Sequence, residues 1–85
     1  MARYFFHIHD GSGHMPDEEG TELADLDAVR ARAIHDARAL MAADIETGRL
    51  DLTDYVEVAD EGGAVVLTLP YAEAVLVNRV KQGQE

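Results

Sequence analysis

The sequence predicts an α+β domain: a small antiparallel sheet of three or four strands, in the order β(β)αββ, with one long amphipathic helix on one face and a short C-terminal helix or strand. Three observations predict it. The opening Arg3-Tyr4-Phe5-Phe6-His7-Ile8-His9 is rich in aromatic and β-branched residues, which suit a pleated, half-buried surface. The stretch 26–47 holds seven alanines and no Gly or Pro, which favours a helix intrinsically. Two apolar runs, 55–59 and 65–69, flank Asp60-Glu61-Gly62-Gly63, a hairpin loop with glycines for positive-φ positions.

In the first strand the period of 2 sends Tyr4, Phe6 and Ile8 to one side and Phe5, His7 and His9 to the other. The first set is uniformly apolar and faces the core. Asp10-Gly11-Ser12-Gly13 reads as a turn, and 14–17 as a short return strand that Pro16 confines to an edge. Glu18-Glu19-Gly20 is a second turn. Asp25 suits an N-cap, with Asp27 adding favourable charge in the first turn, and Gly48 is placed to stop the helix at its C-terminus. At 100° per residue Leu26, Val29, Ala33, Ala37, Leu40 and Met41 form one stripe, with Ile34 and Ile45 on its flank. The small Ala33 and Ala37 let the helix axis lie close to the sheet. Asp44 falls on this stripe and reads as a wet carboxylate on an overhanging helix end, the sharper alternative being an ion pair. In the hairpin Val56 and Val58 oppose Tyr55 and Glu57, while Val65, Leu67 and Leu69 oppose Val66 and Thr68. The inward sets complete the expected core. Residues 71–80 read as a short helix with Pro70 before it or, through Val75-Leu76-Val77, as a strand. The chain is expected to be a single domain over 1–81 with a frayed tail at 82–85.

Composition narrows the partners. Seventeen acids against seven Lys and Arg give a net charge of −10. Between Arg3 and Arg30 there is no Lys or Arg, while Asp10, Asp17, Glu18, Glu19, Glu22, Asp25 and Asp27 all lie there. Polyphosphate and anionic lipid repel such a surface, since binding them relies on Lys and Arg. No direct nucleic-acid or membrane contact is expected, and a basic protein partner is compatible. The absence of cysteine removes disulfide, thiolate-metal and cysteine-nucleophile chemistry. The N-terminus turns polar too soon for a signal peptide, and no apolar run is long enough to span a bilayer, so a cytoplasmic location is expected.

The blocks Arg3-Tyr4-Phe5-Phe6-His7, Asp10-Gly11, Asp17-Glu18-Glu19-Gly20-Thr21-Glu22-Leu23 and Val66-Leu67-Thr68-Leu69-Pro70-Tyr71-Ala72-Glu73-Ala74 together resemble a family of short bacterial proteins of unknown function, abundant in rhizobia and related alphaproteobacteria. The resemblance covers nearly the whole chain and carries no activity with it. His7, Asp10 and Gly11 belong to the family's opening pattern; His9 and His14 are peculiar to this sequence. A looser similarity of architecture links the chain to HicB-type antitoxins, without their proline-glycine block before the helix.

Two constellations bear on chemistry. His7 and His9 share a strand face about 6–7 Å apart, a spacing that permits two metal ligands, with Asp10 or His14 as a third; zinc or nickel is the candidate cation, and no other cofactor is expected. The bland alternative is hydrogen bonding of His7 within the sheet or a dimer interface, with His9 in solvent. His7, Asp10 and Glu57 could also form a general-base cluster, but Ser12 has no supporting nucleophile motif, and no complete catalytic motif is present. A calcium loop over 10–19 fails because His14 stands where an oxygen ligand is needed.

A single helix covers only one face of a sheet. The other face is expected to present Phe5, His7, Tyr55, Glu57, Val66 and Thr68, a mixture of aromatic and polar groups suited to an interface. A chain of 85 residues is near the low end for a self-sufficient core, and oligomerisation is a common remedy. The expectation from sequence is a small acidic interaction module that forms a homodimer through the open face. The alternatives are a metal- or ligand-binding protein using the histidines, and an antitoxin-like partner of a basic toxin.

Overall fold

A computed structural model describes residues 1–11 and 13–79. The expected tail at 82–85, Val80 and Ser12 lie outside the described residues. Five strands and one helix follow one another: β1 (Ala2–Asp10), β2 (Gly13–Met15), β3 (Thr21–Leu23), α1 (Leu26–Glu46), β4 (Tyr55–Ala59) and β5 (Val65–Pro70), then a 3-10 turn over Tyr71–Glu73. All pairings are antiparallel, in the order β2-β1-β4-β5, with β3 also paired to β1. The α+β class, the single helix and the order of elements agree with the sequence reading. The sheet has one strand more than expected, because the chain after β2 returns to β1 a second time.

That second return is visible in the register. β2 pairs with Ile8–Asp10 of β1, and β3 with Ala2–Tyr4. Residues 16–20 therefore arch past 5–7, five residues facing three, much as in an enlarged β-bulge.

The helix begins where Asp25 Oδ1 accepts the Ala28 N–H at 2.8 Å. It ends with the Thr47 N–H on the Asp44 and Ile45 carbonyls, and Gly48 follows at φ +85°. Val29, Ala33, Ala37 and Met41 are its buried residues, and they pack with Phe6, Val56, Val58, Leu69, Tyr71 and Ala74. Tyr4, Ile8, Ile34, Leu40 and Leu67 are partly buried against this cluster.

Three expected core residues are exposed: Leu26 (56%), Ile45 (59%) and Val65 (54%). The 21-residue helix is about 31 Å long, whereas β4 and β5 span roughly 17–20 Å. Leu26 and Ile45 sit at the two helix ends, where this difference in length falls. Val65 lies beside the irregularity at Val58/Ala59, next to the hairpin loop. Asp44 is half-buried and forms no ion pair among the described residues.

The expected helix or strand over 71–80 is neither among the described residues: only Tyr71–Glu73 form a turn, and 74–79 have no regular structure. Tyr71 instead fills the core, its N–H donating to the Asp54 carbonyl at 2.8 Å. Burial, reinforced by the charges of Asp44, Asp54 and Asp10, pushes its phenol up to about 12. Ala74 is buried beside it, and its carbonyl accepts Arg38 Nε at 2.7 Å. No described helix is long and apolar enough to cross a membrane.

Candidate functional site

The face of the sheet turned away from α1 is set by register. Phe5 lies opposite Ala59, His7 opposite Glu57 and His9 opposite Tyr55; His9 also lies opposite His14 on β2, and Glu57 opposite Thr68 on β5. Directly opposed residues on neighbouring strands share a face at close range. His14, His9 and Tyr55 thus form a row across three strands, and their rings stack. The His9 and His14 centroids are 4.3 Å apart with planes 5° from parallel; His9 and Tyr55 are 4.6 Å apart at 8°. His7 meets the edge of this column, 5.7 Å from His14 at 79°. Aromatic contacts of both kinds are favourable.

Polar contacts fix two of the imidazoles. His9 Nε2 lies 3.2 Å from Glu57 Oε1. His7 Nδ1 accepts the backbone N–H of Asp17 at 3.0 Å, so the neutral ring carries its proton on Nε2. Asp17 is the residue that the sequence reading missed. It sits in the arch between β2 and β3. Its Oδ2 accepts the Phe6 N–H at 3.0 Å, and its Oδ1 accepts the Glu19 and Gly20 N–H groups at 3.1 Å each. One side chain thereby closes the gap in the ladder along β1. Burial raises its pKa, but the amides of Phe6, Gly20 and Glu19, helped by His7, outweigh burial and hold the carboxyl below its ordinary value. The signal was present in Asp17-Glu18-Glu19-Gly20, an Asp placed to accept from amides two and three residues on, though not its reach to Phe6. Gly20 allows the arch to lie close: its φ is +74°, and a Cβ there would come within 3.0 Å of the Tyr4 carbonyl and 2.9 Å of Phe5 Cε2.

The structure brings His7, His9 and His14 together but does not turn them toward one point. Parallel rings 4.3 Å apart keep their in-plane lone pairs in separate planes, and His7 Nδ1 is already engaged. Asp10 alternates onto the side of Ile8. Among the described residues no three His, Asp or Glu side chains are grouped to hold a metal ion. The general-base trio does not assemble either, since Glu57 reaches His9 rather than His7, and the Nδ1 of His7 accepts from the Asp17 amide. Of the expected interface residues, Phe5, His7, Tyr55, Glu57 and Val66 are half-buried and Thr68 is exposed.

The fold defines a two-layer α+β domain whose sheet keeps one face free of the helix. The chain belongs to the family described as a domain of unknown function, DUF6894, whose model matches residues 3–72. The match takes in β2, β3, α1, β4 and β5 entire, and with them the ring row and Asp17. No curated protein and no solved structure matches the chain.

Proposed function

We propose that the chain is a non-enzymatic interaction module that pairs with a second copy of itself through the outer face of its sheet. The observation that carries this reading is the row His14–His9–Tyr55, flanked by His7 and Phe5, on a face that α1 does not cover. Charge favours a second copy there. Two chains of net charge −10 repel, and they repel least where local charge is low. On this face Glu57 is set against His9, and Glu22 is paired with Arg3 at 3.2 Å. Imidazole, carboxylate and aromatic rings on one patch also make it self-complementary, as a twofold interface requires. The absence of cysteine fits a reducing compartment such as the cytoplasm.

Sedimentation equilibrium of the wild type and of Tyr55→Glu tests the proposal. The wild type is expected to dimerise in the micromolar range, and the added carboxylate to weaken association at least about tenfold. Leu76→Glu, at an exposed site outside the strands, is expected to change nothing. A wild type that stays monomeric at about 100 μM, with a melting temperature indifferent to dilution, overturns it.

A further inference from the structure

At the end of the sheet where β1 turns into β2 and the chain enters β4, a pocket of about 450 Å³ is lined by Asp10, Asp51 and Asp54 together with His9, His14 and Tyr55. Asp54 is unlike its neighbours. It is the buried charged residue among those described, 4% exposed, and its Oδ2 has no hydrogen-bond partner among them. Its backbone is held, with the N–H on the Asp51 carbonyl at 3.3 Å and its own carbonyl accepting from Tyr71. A buried carboxylate oxygen without a donor is costly and uncommon in a folded protein, and the residue that carries it is one of those lining this cavity. Burial first, then the nearby charges of Asp51, Asp10 and Asp44, raise its pKa, with Arg49 opposing. Asp51 is oriented by Thr53, whose N–H and Oγ1 donate to Oδ1 at 2.9 and 2.6 Å.

A positively charged N–H donor is the partner that satisfies such an oxygen best. A metal ion is disfavoured because no three ligands converge among the described residues. A guanidinium is planar, offers five donors to carboxylates that do not converge, and is compatible with a wall of aromatic rings. Arg49 shows that such a group fits nearby: its Nη2 packs over Gly11, 2.7 Å from where a Cβ would stand, and is 3.9 Å from Asp51 Oδ2. It leaves Asp54 Oδ2 without a donor.

We infer that this pocket binds a guanidinium group, with Asp54 as its buried acceptor and Asp10 and Asp51 as its rim. The group arrives either as an arginine side chain of a partner protein or on a free small molecule. The inference is independent of self-pairing, since it is read from the effect of neutralising Asp54 in whichever oligomeric state the chain holds.

The test is NMR titration of the full chain with methylguanidinium, with methylammonium as control, on the wild type and on Asp54→Asn, Asp10→Asn, Asp27→Asn and Arg49→Ala. Saturable shifts of the Thr53, Asp54 and Tyr55 amides are expected with methylguanidinium, and weaker ones with methylammonium. Asp54→Asn and Asp10→Asn should each weaken binding at least about fivefold, while Asp27→Asn, neutralising an exposed acid on the helix, should not. An arginine-containing tripeptide binding more tightly than free arginine assigns the group to a protein partner, and the reverse order to a small molecule. The inference is overturned by an absence of saturable shifts, by equal affinity in Asp54→Asn, or by binding only in Arg49→Ala, which would make Arg49 the pocket's own cation.

Discussion

The surroundings of two carboxylates, Asp17 and Asp54, shift their pKa values in opposite directions, and each makes its own prediction. Asp17 is held below the ordinary 3.8 because three amides outweigh its burial. A depressed carboxyl stabilises the fold above its unfolded value and loses that contribution as pH falls through its folded value. Asp17→Ala also strands the Phe6 N–H, so it should cost about 1–3 kcal/mol at pH 7, a loss that narrows in urea melts below the ordinary carboxylate range. Asp54 is raised instead, by burial and then by Asp51 and Asp10. For a raised carboxyl the stability present below 3.8 is lost as pH rises through the folded value. Asp54→Asn is therefore expected to raise the melting temperature at neutral pH and to lose that advantage near pH 3; a variant less stable than wild type at pH 7 would contradict the assignment. The local half of the role of Asp17, its bonds to the Glu19 and Gly20 amides, was legible in Asp17-Glu18-Glu19-Gly20; its reach to Phe6 was not, and nothing marked Asp54. Both are Asp in loops rich in acids, and what distinguishes them is contact with Phe6 in one case and burial in the other.

At the scale of elements, legibility follows period and length. The helix declares itself through its stripe and through Asp25 and Gly48, and β1, β4 and β5 through alternation, so the face shared by Phe5, His7, His9, Tyr55 and Glu57 is legible in the sequence. β3 is not, because three residues carry no period, and neither is the arch that joins it to β2. Pro70-Tyr71 read as a helix start, but Pro70 still pairs with Tyr55 as the last residue of β5, and Tyr71 goes to the core. The arch itself depends on Gly20. A side chain there meets the Tyr4 backbone at φ +74°, so Gly20→Ala should destabilise by about 1–3 kcal/mol. It should also raise amide exchange at Phe6. Exchange unchanged at Phe6 would mean that the arch does not need this glycine.

For the whole molecule the governing quantity is net charge. A surface at −10 opposes every encounter between copies, and salt screens that opposition over a Debye length of about 10 Å at 0.1 M. Pairing through the outer face is therefore expected to tighten between about 0.05 and 0.5 M salt, opposite to what an interface held by ion pairs would do; sedimentation across that range reads the sign. The most direct measurement of the pairing surface is a dilution series of amide NMR spectra on the wild type. The account predicts concentration-dependent shifts gathered at Phe5, His7, His9, His14, Tyr55 and Glu57, with the exposed side of α1 unmoved. Spectra that do not change with dilution, or shifts gathered at Val75, Leu76 and Val77 instead, would contradict it.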